Sequence, residues 1–323
     1  MSSCPARPRT PALLAILSLL GVVALSGCAS RQESSSDAAN GADAGNFPVT
    51  VQAKGAPALT LQNKPKRIVS LSATVTEILY EVGAGSQVVA AGEYSTYPEK
   101  APNKKGLSGL TPNAERLATF NPDLVIVNSD QGGKLAAALR KLKVATLVVP
   151  AAGTLDEMYA QFTLLGKATG HKTAATKLAG STRTEIKEIV ANTPEPTKEP
   201  SYFHELSPSY YTMTSATFVG NVYSLFNMVN IADQGNPQAA GGSPQLSAEQ
   251  ILDANPDLIF LADTECCGVT AEKVAARPGW DTLAAVENGR IFELDDDIAS
   301  RWGPRIVEFV RSISKAIKTV TNS

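Results

Sequence analysis

The strongest constraint on the fold is a repeat. NAERLATFNPDLVIV, beginning at Asn113, returns as SAEQILDANPDLIFL from Ser247, 134 residues further on. Aligned without gaps, the two share Ala, Glu, Asn, Pro, Asp and Leu at matched positions, and Glu115 and Glu249 each stand seven residues before the proline. Each copy reads as a short helix, a turn and an apolar, β-branched strand. A weaker echo, Ser72-Ala73-Thr74-Val75 against Ser215-Ala216-Thr217-Phe218, occurs in the same order in each half. A helix, turn and strand written twice predict two lobes of one design.

The surrounding sequence fits that design. Strand candidates in the first half are RIVSL (67–71), VVAAG (88–92), DLVIV (123–127) and ATLVV (145–149); in the second they are SYFHEL (201–206), DLIFLAD (257–263) and RIFEL (290–294). Segments of helical period separate them, among them TVTEILYEV, GKLAAALRKL, TFVGNVYSLF and WDTLAAV, and PRIVEFVRSISKAI follows the last. Alternating strand and helix predicts α/β lobes with parallel or mixed sheets. Thr74 and Glu77 read as a capping box that opens a helix directly after RIVSL.

Residues 47–153 form the expected first lobe, 154–193 connecting helices and 194–323 the second lobe. Leu178, Ile186 and Ile189 put one apolar stripe on the second connecting segment, whose roughly 20 residues would span about 30 Å as one helix. That predicts a single long helix as a stiff strut, with little hinge closure.

Arg7 and Arg9 precede an apolar run, PALLAILSLLGVVALSG, of signal-peptide length. The run ends Leu25-Ser26-Gly27-Cys28, which resembles a bacterial lipobox; residues 1–27 are then a lipoprotein signal peptide and Cys28 the lipidated N-terminus. Residues 28–46, polar and small, read as a flexible tether. The folded part is expected outside the plasma membrane, held to it by lipid. With a formal net charge of −2 the chain carries no basic footprint for nucleic acid.

Ligands of such sheets bind beyond the carboxyl ends of the strands. Those ends offer Ser72, Ala73, Thr74, Tyr94, Tyr97, Asp130 and Gln131 in the first lobe, and His204, Glu205, Tyr210, Tyr211, Glu265, Cys266, Cys267, Asp297 and Trp302 in the second. Facing edges of this kind make a cleft of aromatic and small polar groups, suited to a bulky, partly flat organic ligand. Catalysis is not expected: Gly-x-Ser-x-Gly is missing and Gly83-Ala84-Gly85 lacks the third glycine of a dinucleotide loop. Nor is a bare metal centre or a resident cofactor, because only two histidines occur. His171 falls near the start of the connecting helix. His204 reads either as a neutral hydrogen-bonder in the cleft or as an axial ligand to a metal inside a macrocycle. Cys266 and Cys267 have only each other once Cys4 is removed and Cys28 lipidated; a disulfide between them is expected, with free thiols or an intermolecular bond as the alternatives.

RIVSLSATVTEILYEVGA, EYSTYPEKA, TFVGNVYSLFNMVNIA, PQLSAEQILDANPDLIFLAD and ARPGWDTLAAVENGRIFELDDDIASRWGPRIVE, in this order, together with the repeat, resemble the class III substrate-binding proteins of ABC importers. Within that family the cobalamin-binding branch is most similar. The resemblance implies two Rossmann-like lobes joined by one long helix, a monomer, and delivery of cobalamin or another corrinoid to a permease dimer with its ATPase. It places permease-docking glutamates at Glu115 and Glu249, far from the ligand, and cleft contacts at Tyr94, Tyr97 and Asp297. One departure is GLSGLTPN, which has no aromatic where cobalamin binders can carry tryptophan; Trp302 is the substitute ring. Haem, a ferric siderophore with Arg301 as its cleft cation, and a sensing role without transport stay open.

Overall fold

The computed structural model describes residues 46–234 and 238–321. The expected signal peptide, Cys28 and almost all of the tether lie outside the described residues. A hairpin, β1 (Val49–Val51) with β2 (Leu59–Leu61), precedes two four-stranded sheets. The first holds β3 (Ile68–Ser70), β4 (Val88–Ala91), β5 (Leu124–Val127) and β6 (Ala145–Val148) in the order β4-β3-β5-β6. The second holds β7 (Ser201–Glu205), β8 (Val229–Asn230), β9 (Leu258–Leu261) and β10 (Ile291–Glu293) in the order β8-β7-β9-β10. All strands within each sheet are parallel.

The two sheets are therefore wound identically, and their registers also agree. Ile68 pairs with Leu124 and Tyr202 with Leu258, both partners displaced by the same 134 residues that separate the sequence repeats. The duplicated text thus reaches beyond the recognisable repeat into β3 and β7.

Helices α1 (Ala73–Glu81), α2 (Ala114–Ala118), α3 (Lys134–Lys141) and α4 (Leu155–Thr169) belong to the first sheet's surroundings. α5 (Lys172–Ala191) follows, and α6 (Phe218–Tyr223), α7 (Ala248–Ala254), α8 (Thr264–Cys267), α9 (Ala271–Ala275), α10 (Ala284–Glu287), α11 (Asp296–Ser300) and α12 (Ile306–Thr321) surround the second. α4 stops at Gly170, whose φ of +72° suits the left-handed cap that only glycine takes without strain. α5 then lies against α4 on one side and α12 on the other.

One face of each sheet contributes to a common core that runs from Ile68, Leu79 and Phe162 through Ile186 to Tyr202, Phe260 and Phe309. The opposite faces have separate cores, with Leu117, Leu135 and Leu139 on the first sheet and Ile251, Trp280 and Leu283 on the second. Both sheets are covered on both sides, the usual state of parallel sheets.

Helix starts differ from expectation at one point. The N-cap of α1 is Ser72, whose hydroxyl accepts from Val75 N at 3.3 Å, so Thr74 lies inside the helix, buried, and no Thr74–Glu77 capping box forms. Asn113 caps α2 in the same manner, and Ser247 with Gln250 forms a reciprocal capping box on α7. Glu115 and Glu249 both fall in the first turn of their helices and are exposed.

Candidate functional site

In a parallel sheet of this order the chain reverses its winding direction between β3 and β5, and the crevice opens there. A concavity of about 1090 Å³ lies beyond the carboxyl ends of these two strands. Ser72, Ala73, Tyr94, Asp130 and Gln131 line it, as do Leu110, Glu115, Lys134 and Lys141. Drug-sized ligands occupy roughly 300–1,000 Å³, so this concavity suits a large one. Tyr94 is 68% exposed and Leu110 90%, an apolar surface without a protein partner to cover it. Ser72 is buried and occupied as a helix cap. The Asp130 carboxylate accepts from Leu135 N (3.0 Å) and Ala136 N (2.9 Å), holding the start of α3. Glu115, expected far from the ligand-binding edge, borders the same concavity; Glu249 does not.

The two lobes meet beside this crevice through charged and aromatic groups. Glu77, on α1, is 1% exposed and accepts from Arg301 (2.8 Å) and from both Nε (3.1 Å) and Nη2 (2.9 Å) of Arg305. Arg301 also binds the Tyr94 carbonyl at 3.0 Å and pairs with Asp297, and Thr96 donates to Asp297 at 2.8 Å. The guanidinium of Arg305 sits 4.3 Å from the Tyr97 ring centroid. Trp302 donates its indole N–H to Gln161 of α4 at 3.1 Å. Asp297, Trp302, Tyr97 and Arg301 thus bridge the lobes; Arg301 is not a free cleft cation.

In the second lobe the corresponding strand ends carry a closed cluster. Glu205 is fully buried and grips Arg277 through two bonds of 2.6 and 2.7 Å, a bidentate pair. Arg277 lies over the rings of Tyr210 and Trp280, which stack at 5.7 Å. Tyr210 takes a φ of +63°, a conformation tyrosine rarely adopts. The Asp263 carboxyl is buried beside this cluster with neither oxygen in a hydrogen bond, and burial together with the neighbouring Glu205 pushes it up to about 7. Glu205 and Tyr210 are committed to this cluster, whereas Tyr211 is exposed.

His204 corrects the expectation most sharply. It points from β7 into the common core, its Nδ1 2.9 Å from the Tyr223 hydroxyl and its ring edge-on to Phe309. Full burial pushes its pKa down to about 4. The side chain is a neutral core group and reaches neither a cleft ligand nor a macrocycle's metal. The structure holds no disulfide between Cys266 and Cys267, the pairing expected from sequence; both side chains are exposed and their sulfurs adjoin. Asp296 accepts from the backbone N–H of Thr264, Glu265 and Cys266 at the start of α8. Burial and the neighbouring thiol push the Cys266 thiol up to about 12.

Residues 68–298 match the family model of the periplasmic binding proteins. The chain belongs to the periplasmic binding protein family. It is 31% identical over 93% of its length to an uncharacterised ABC transporter substrate-binding lipoprotein of Bacillus subtilis (strain 168), covering 94% of that protein. It is 30% identical over 78% of its length to the vitamin B12-binding protein of Vibrio cholerae serotype O1, covering 89% of it. The crystal structure of a possible iron-binding (periplasmic solute-binding) protein from Staphylococcus epidermidis ATCC 12228 superimposes with a TM-score of 0.65 at 29% identity, over 79% of this chain and 99% of that one. The periplasmic binding proteins are solute carriers, not an enzyme class.

As a periplasmic binding protein this chain holds several groups beside the crevice that carry little local signal in the sequence. Glu77 has the spacing of a cap and Arg305 no local mark, because their pairing spans 228 residues. Lys134 and Lys141 begin and end an ordinary amphipathic helix, and nothing local marks them as rim groups. Leu110 carried a usable signal: a large apolar side chain among Gly, Ser, Thr and Pro in GLSGLTPN has no helix or strand to bury it.

Proposed function

We propose that this periplasmic binding protein captures cobalamin or a related corrinoid outside the cell membrane and delivers it to the permease of an ABC importer. The observation that carries the reading is the 1090 Å³ concavity at the switch point of the first sheet, with the exposed Tyr94 ring on its wall. Its size and the exposed Tyr94 and Leu110 side chains on its wall suit a rigid, partly flat macrocycle, and the similarity to a vitamin B12-binding protein supports the same ligand class. Lipid attachment at Cys28 tethers the folded part, and the exposed first-turn glutamates Glu115 and Glu249 dock a permease dimer, one per lobe. The protein acts as a monomer.

A second reading, an anionic ferric chelate, draws on Lys134 and Lys141 at the rim and on the possible iron-binding neighbour. Titration calorimetry of the full-length chain in detergent with cyanocobalamin, haem and a ferric siderophore separates the two. Saturable 1:1 binding of cyanocobalamin is expected. Binding of the iron ligand alone would replace the corrinoid reading with the second one.

A further inference from the structure

Helix α3 and the two residues after it, KLAAALRKLK from Lys134 to Lys143, hold four cations and no acid. Leu135 and Leu139 turn into the core of the first sheet, and the charged side chains stay at the surface. They divide between two sides of the helix. Lys134 and Lys141, with Ala138 between them at helical spacing, line the 1090 Å³ concavity. Arg140 and Lys143 line a neighbouring one of about 790 Å³. Lys134 and Lys141 stand about 10 Å apart along the helix axis, and their long stems can converge on one group.

The concavity offers these two ammoniums no counter-charge. The acids lining it are Glu115 and Asp130. Asp130 uses both oxygens on Leu135 N and Ala136 N, and Glu115 sits in the first turn of α2. Among the described residues, neither lysine forms an ion pair. The same walls are strongly apolar. Tyr94, Leu110 and Leu142 converge there, three of the six large hydrophobic side chains exposed among the described residues. A cargo that covers those side chains also strips water from the two ammoniums. Neutral amide oxygens replace that water poorly, whereas an oxyanion accepts charge-assisted hydrogen bonds roughly twice as strong. Lysine suits this role, as a point charge on a flexible stem that needs no fixed fork geometry.

We propose that Lys134 and Lys141 select corrinoids with an oxyanion on the periphery of the macrocycle, a phosphodiester or a free carboxylate, over corrinoids whose side arms are all neutral. This rests on the corrinoid reading above. The apolar walls hold the ring and the lysines read the acid, so the recognised cargo is an amphiphile with one charged edge.

Titration calorimetry of the full-length protein in detergent compares three corrinoids. Cyanocobalamin carries the phosphodiester of its nucleotide loop, dicyanocobyric acid carries a free carboxylate, and dicyanocobinamide carries neither. At least one of the two acids should bind about tenfold more tightly than dicyanocobinamide, and which one does so identifies the source of the oxyanion. Lys134→Gln/Lys141→Gln should erase that advantage, and added salt should narrow it. Arg140→Gln/Lys143→Gln, which removes equal charge from the other side of α3, should keep it. Equal or reversed affinities in the wild-type protein would overturn the inference and leave the corrinoid reading standing. An advantage that survives Lys134→Gln/Lys141→Gln would also overturn it, because the acid would be read elsewhere. So would an advantage lost equally in Arg140→Gln/Lys143→Gln, which would reduce the two lysines to general surface charge. Failure of all three to bind would remove the corrinoid reading and this inference together.

Discussion

Glu77→Gln tests how the two lobes are held. The carboxylate is 1% exposed, and it compensates two guanidiniums whose side chains are 11% and 15% exposed. The amide is nearly isosteric but neutral, so Arg301 keeps only Asp297 as an ionic partner, and Arg305 keeps the longer contact to Asp295 at 3.6 Å. Removing one partner of a buried pair costs about 3–5 kcal/mol, because an uncompensated charge stays behind. The residual access of both arginines to water, and the acids that remain, argue for the lower end, about 3 kcal/mol. With a urea m-value of about 3 kcal/mol/M, the midpoint should drop by about 1 M. Circular dichroism in urea reads this, and a cycle with Arg305→Met apportions the coupling. The triple replacement of Glu77, Arg301 and Arg305 by apolar residues should recover much of the loss. A Glu77→Gln midpoint within about 0.2 M of wild type would refute the reasoning and make the cluster a solvated contact.

Four other outcomes are expected. His204 is neutral in the fold, with its pKa near 4, whereas the unfolded chain takes up a proton near pH 6.5; stability is therefore lost as pH falls from about 6.5 to about 4, by about 3 kcal/mol. Urea titrations across that range should show a flatter acid limb in His204→Phe. Asp263 behaves oppositely: its raised folded pKa means stability declines as pH rises from about 4 to about 7, so Asp263→Asn should gain on wild type at pH 8 in thermal melts. Tyr94→Ala should weaken corrinoid binding by about 1–3 kcal/mol in calorimetry, since a ligand in the concavity would cover that exposed ring. Glu249→Ala should cut uptake in proteoliposomes at unchanged ligand affinity, whereas Glu115→Ala, which borders the concavity, should change both.

Much of the architecture was legible because strand content is a local property. The seven apolar runs read as strands correspond to β3–β7, β9 and β10, with ends at the expected limits or at most two residues inside them. The β1–β2 hairpin and two-residue β8 escaped because they are too short to show a period. The site was less legible, and the reason is geometric. His204 and Glu205 sit at a strand's carboxyl end, yet helices cover both faces of this sheet, so one side chain enters the common core and the other a closed ion pair. Position along a strand does not tell whether the end is open. Glu77 shows the same limit in another form: an i, i+3 pattern suggested a cap, while the actual partners lie 224 and 228 residues away.

The shared offset of the two sheets also has a statistical consequence. If Glu115 and Glu249 seat on a permease with twofold symmetry, this receptor has two equivalent landing poses, turned by half a revolution. Two poses double the encounters that succeed, an entropic advantage of RT ln 2, about 0.4 kcal/mol. The degeneracy is exact, because the permease's own axis interchanges the poses, although Asn113 alone caps one foot while Ser247 and Gln250 cap the other reciprocally. Of these two feet only Glu115 borders the concavity. In either pose, then, a ligand held there would lie beside one permease subunit and not the other, so loading would make the two subunits unequal without favouring a pose.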